Sequence, residues 1–144
     1  MAYCTREDLI NTLPESQLIE LTDDNDTGGV DTEKLNEAIR KSDDFIDGHI
    51  RGRYDLPLTT VPALIRDISI KMAVYFLFRR SLLLTLPESI KEDYKYCLDT
   101  LLKIQSGKVS PFESSAEPAF FGTNKATSDN QMNSITTDWS TYLV

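Results

Sequence analysis

The run Asp23-Asp24-Asn25-Asp26-Thr27-Gly28-Gly29, followed by Asp31, crowds oxygen atoms into a short turn between two helical patterns, and hard cations such as calcium take oxygen ligands. With Asp23 as the first ligand, Asn25 falls third, Thr27 fifth, Gly28 at the turn and Asp31 ninth, which is most of an EF-hand loop. The twelfth position breaks the pattern. Lys34 stands where a bidentate glutamate is needed, and Glu33 lies one residue early. The segment therefore predicts a solvated turn whose Asp31 caps the next helix, and no metal. Asp23, Asn25, Thr27 and Asp31 are the candidate ligands for the alternative, a calcium-binding, EF-hand-like helical interaction module.

Other reactive side chains are sparse. His49 is the single histidine and lies on or beside an apolar helical stripe, so no histidine cluster or histidine pair can form. The chain has no glycine-rich phosphate loop, nucleophile elbow or HExxH pair, and neither an enzyme nor a cofactor is expected. Cys4 and Cys97 have no metal-ligand spacing and read as ordinary thiols in a reducing compartment. Arg79-Arg80 could hold an acidic partner, although two cations at a helix C-terminus are explained by the helix dipole alone.

A net charge of −8 over 144 residues argues against a general duplex-DNA binder, which needs clustered Lys and Arg. The most apolar run, Met72 to Leu86, is interrupted by Arg79-Arg80 and is too short for a bilayer, so a soluble, non-secreted protein is expected.

The elements that must position these residues are helices. Thr5 and Asp8 form a variant capping box ahead of Leu9, Ile10 and Leu13, and Pro14 opens a second short helix carrying Leu18, Ile19 and Leu21. From Asp31 to about Tyr54, Leu35, Ala38, Ile39, Phe45, Ile46 and Ile50 recur at helical spacing with Ser42 on the same stripe, and Glu37–Lys41 and Asp47–Arg51 form i,i+4 pairs. The next helix, about Pro62 to Ser81, is apolar nearly all round from Ile68 to Phe78, with Ser69 and Lys71 as exceptions. Such a helix is either the centre of its own domain or partly covered by another subunit. A last helix runs from Pro87 to about Ser106 and ends at Gly107.

Together these predict an all-α fold: a small bundle of three longer helices with one or two short N-terminal ones over 1–107. An extended, irregular tail follows over 108–144. The tail is rich in Ser, Thr and Asn, and Phe120, Phe121, Trp139 and Tyr142 are its candidate anchors on a partner. Arg79 and Arg80 complete the candidate partner-binding set.

Between the first and second long helices lies Arg53-Tyr54-Asp55-Leu56-Pro57-Leu58-Thr59-Thr60-Val61-Pro62, in which both prolines force extended backbone before them. Tyr54, Leu56 and Leu58 are expected to plug the helical core. This segment with Ala63-Leu64, the capped N-terminal helix, the Asp/Gly turn, Ala73-Val74-Tyr75-Phe76-Leu77 and Gly107-Lys108-Val109 resembles the Mu-like head–tail connector proteins of tailed bacteriophages. The resemblance covers about three quarters of the chain and stops before the tail after Pro111. It implies a helical bundle acting as an adaptor in the neck of the virion, made in the host bacterial cytoplasm. It further implies a portal-matched, dodecameric homo-oligomeric ring docked on the portal protein and followed by tail or further neck proteins. DNA would pass through the lumen without specific binding, and an acidic wall would discourage adhesion.

Overall fold

A computed structural model describes residues 2–81 and 84–112. Helix starts follow local chemistry. Thr5 caps α1 (Arg6–Thr12), its Oγ1 accepting the Asp8 N–H at 3.2 Å while Asp8 Oδ2 accepts the Thr5 N–H at 2.8 Å, as the Thr/Asp spacing predicts. Asp31 caps α3 (Thr32–Ile50) by accepting the Glu33 N–H at 2.9 Å. Prolines Pro14, Pro62 and Pro87 stand at the N-caps of α2 (Glu15–Thr22), α4 (Ala63–Arg80) and α5 (Glu88–Gln105), where a missing N–H forfeits no helical bond. Among the described residues the secondary structure is helical, without strands.

α3 stops at Ile50, short of the Tyr54 that periodicity suggests. The N–H groups of Arg53 and Tyr54 both return to the Ile50 carbonyl, at 2.9 and 3.0 Å, closing a turn around the poor helix former Gly52 before Pro57 demands extended chain. The Leu56–Pro57 peptide is cis. Leu58 is buried, and Tyr54 and Leu56 pack half-buried against the same cluster, so the connection does plug the core.

α4 is the centre of the bundle and packs against the four other helices. That explains its lack of a polar face: Ile65, Ile68, Met72, Ala73, Val74, Leu77 and Phe78 each have protein around them. The core has two lobes. Leu35, Ala38 and Ile39 of α3 meet Ala73, Val74, Leu77 and Phe78 of α4 under the two short helices. Ile46 and Ile50 meet Ile65, Ile68 and Met72, with Cys97, Leu101 and Ile104 of α5 and Leu58 completing that lobe. The start of α3 thus lies beside the end of α4, making the two antiparallel.

The compact unit runs through Phe112. Residues 108–112, placed with the tail on composition, lie within it: Val109 packs on the second lobe, Pro111 is buried, and the Phe112 ring lies 5.4 Å from Tyr54. The turn that delivers them is a Schellman motif. Lys108 N–H donates to the Lys103 carbonyl at 2.8 Å and Gly107 N–H to Ile104 at 3.0 Å, with Gly107 at φ +83°. Phe120, Phe121, Trp139 and Tyr142 lie outside the described residues.

Gly107→Ala places a Cβ in left-handed backbone and 2.7 Å from the Arg53 guanidinium, whereas Gly29→Ala meets open space. Gly107→Ala is expected to lose about 1 kcal/mol in urea unfolding, and Gly29→Ala, as the control, far less. Equal losses would show that the Schellman turn does not hold 108–112 in place.

Candidate functional site

The acidic loop is organised around one carboxylate. Asp23 Oδ1 accepts the Thr27 N–H at 2.9 Å, the Thr27 hydroxyl at 3.0 Å and the Asn25 N–H at 3.3 Å, and Oδ2 accepts the Gly28 N–H at 2.7 Å. These backbone donors, Thr27 first, hold Asp23 below the usual carboxylate range. Backbone N–H groups of the loop thus converge on the carboxylate that would be the first ligand. Thr22 closes the base, its hydroxyl donating to Leu18 O at 2.7 Å and accepting the Asp31 N–H at 3.0 Å. Asp31 is occupied with its helix cap.

Arg80 has an acidic partner within its own chain. Its Nη1 donates to Leu21 O at 2.8 Å and its Nη2 to Asp24 Oδ2 at 2.6 Å, lashing the loop to the end of α4. Arg79 points differently, its Nη1 donating to Tyr75 Oη at 3.1 Å with the guanidinium 5.8 Å from that ring. His49 is tied to Phe45, through its Nδ1 to the carbonyl at 2.9 Å and ring to ring at 4.7 Å.

A polar seam that sequence alone does not assemble crosses the core between its two lobes. Ser42 Oγ lies 3.0 Å from Ser69 Oγ, which is also 3.2 Å from Cys4 Sγ and 3.3 Å from Asp43 Oδ1. Asp43 Oδ1 accepts the Tyr3 N–H at 3.2 Å, and the Tyr3 hydroxyl donates to Asp47. Asp47, paired with Arg51 on sequence spacing, is thus engaged by Tyr3. Burial pushes the Asp43 carboxyl above its ordinary range, against the opposing pull of the Tyr3 and Ser69 donors. Burial likewise raises the Cys4 thiol and pushes Cys97 up to about 12, which leaves both as poor nucleophiles.

Among the described residues, concavities lie on both sides of α3. One, of about 560 Å³, lies beside the N-terminal segment, and its rim mixes Arg6 and Arg40 with Glu7, Asp44 and Asp47. The other, of about 300 Å³, lies where α3, α4 and α5 meet, with an aromatic floor of Phe45, Tyr75, Phe76 and Tyr94 and a rim of Lys41, Arg79 and Arg80. Tyr75 and Tyr94 stack at 4.2 Å and 17°, and Phe45 stands 6.3 Å from both Phe76 and Tyr94. The periodicity of α3, α4 and α5 marks these rings as core. Only the meeting of three helices turns their edges into a shared surface.

Two measurements check these assignments. Millimolar calcium should leave the melting temperature unchanged, and Asp23→Ala should lower it equally with and without calcium; a calcium-dependent rise abolished by Asp23→Ala would restore the cation loop. For Asp43, a raised folded-state pKa means that its contribution is fully present below the ordinary carboxylate pKa of about 4 and is lost as pH rises through the folded value. Asp43→Asn should therefore gain on the parent as pH rises from about 4 to 7, measured as the difference in urea midpoints. Asp8 and Asp24, whose pKa values are lowered by Arg66 and Arg80, remain in both proteins and cancel. A difference that does not change with pH would show Asp43 to be solvated.

The family profile described as Bacteriophage Mu, Gp36 matches residues 3–129. The Mu-like prophage FluMu protein gp36 of Haemophilus influenzae is 31% identical over 108 residues, which cover 75% of this chain and 74% of the relative. No helix among the described residues is long and apolar enough to cross a membrane. The Mu-like resemblance carried by the capped helix, the Asp/Gly turn and the Tyr54–Pro62 connection thus extends over most of the chain, which belongs to the bacteriophage Mu Gp36 family.

Proposed function

We propose that this phage protein is a structural, non-catalytic neck component, a head–tail connector that docks on the portal and forms a ring between the DNA-filled head and the tail. The observation that carries the proposal is membership of the Mu Gp36 family together with the ordered series of elements that resembles the connectors.

The chemistry of the bundle supports the same reading. Its conspicuous polar residues are committed to holding the fold: Asp23 to a turn, Arg80 to Asp24, and Asp43 and Cys4 to the seam. What remains open to a partner is shape and surface, as assembly requires. The net charge of −8 suits a wall past which DNA slides, since like charge disfavours adhesion.

Mass spectrometry of purified particles should find this protein in the virion, and particles lacking portal should lack it. Its absence from particles that carry both head and tail would sink the assignment.

A further inference from the structure

We propose that the groove between α3, α4 and α5 is a docking site for a segment of another protein that presents a carboxylate beside an aromatic or large aliphatic side chain. The inference stands on the groove alone and does not depend on the neck assignment.

The floor defines the apolar half of the occupant. Phe45, Phe76 and Tyr94 are half-buried, and their mutual contacts hold the rings in place before anything binds. An apolar side chain laid on these edges displaces water from surface that is already ordered, so little conformational entropy is lost.

The rim defines the charged half. In an acidic chain, three cations edge one concavity of about 300 Å³. Arg80 is anchored to Asp24 and Leu21, but the other two are differently placed. Arg79 is held by the Tyr75 hydroxyl, a neutral acceptor, and among the described residues no carboxylate pairs with it. Lys41 is 3.5 Å from Glu37 with both side chains about half exposed, at 57% and 48%, an arrangement that water and salt keep loose. A guanidinium fixed over an aromatic ring is prepared to receive a carboxylate at two nitrogens.

Charge also selects among occupants. A single-stranded nucleic acid needs a positive track spanning several nucleotides, and this groove is a short basic spot on a chain of net charge −8. The cleft on the other side of α3 is of mixed sign, with Arg6 and Arg40 among its acids, so that cleft offers the groove no uniformly acidic face.

The test is an NMR titration of the full-length protein with a capped peptide, Gly-Glu-Asp-Phe-Glu-Gly, alongside the same peptide with Lys at each acidic position and an oligothymidylate. The acidic peptide should shift the ring resonances of Phe45, Tyr75 and Tyr94 and the Arg79 side chain, more weakly as salt is added. Arg79→Glu and Lys41→Glu should each weaken it about tenfold, while Ile10→Ser, on the exposed side of α1, binds as the parent. No shift at millimolar peptide, or equal binding of the Lys peptide, overturns the proposal. Preferential binding of the oligothymidylate overturns it in favour of nucleic acid. Dilution-dependent shifts at the same rings without peptide overturn it in favour of a second copy.

Discussion

The meeting of Ser42 with Ser69 at the middle of two antiparallel helices is the constraint on which the rest of the bundle depends. On either side of it the two lobes where α3 packs on α4 are apolar, and such packing tolerates sliding because the hydrophobic effect has no direction. Hydroxyls are less permissive. A slip of one turn would set each against hydrocarbon, at about 1–3 kcal/mol for each polar group left without a partner. By joining Cys4 and Asp43 to the same point, the seam also fixes the N-terminal segment and separates the two lobes of the core.

Register settled at that point propagates outward. It places the end of α4 beside the loop between α2 and α3, where Arg80 finds Asp24 and the Leu21 carbonyl. It brings Phe45 of α3 alongside Phe76 of α4, and α5 adds Tyr94 to complete the aromatic floor. The basic groove is therefore a consequence of helix packing, and its rings contribute to the core while showing their edges to solvent. For a member of a phage family whose proposed role is assembly, a surface of this kind couples recognition to stability: residues that would bind also help hold three helices together.

The charged groups divide along the same line. Asp8 with Arg66 and Asp24 with Arg80 join parts of the chain far apart in sequence, and they tie the short helices and the acidic loop to α4. Lys41, Lys71, Lys91 and Lys103 instead pair with carboxylates on their own helices, where exposure limits each to a few tenths of a kcal/mol. The first kind orders the molecule; the second mainly keeps its surface hydrated.

Short-range physics made much of this legible in the sequence. Thr5, Pro14, Asp31, Pro62 and Pro87 start helices, and Gly107 ends one, because caps and prolines act on backbone groups within a turn of themselves. The all-round apolar pattern from Ile68 to Phe78 already required a buried helix. Other features depend on pairs that sequence spacing cannot join. Ser69 is visible only as an exception in an apolar run, and Ser42 as a small member of a stripe, until packing brings them within 3.0 Å. Arg79 and Arg80 look equivalent as adjacent cations at one helix end. The tertiary structure sends one to Asp24 and leaves the other over Tyr75, because successive residues on a helix point about 100° apart and meet different neighbours.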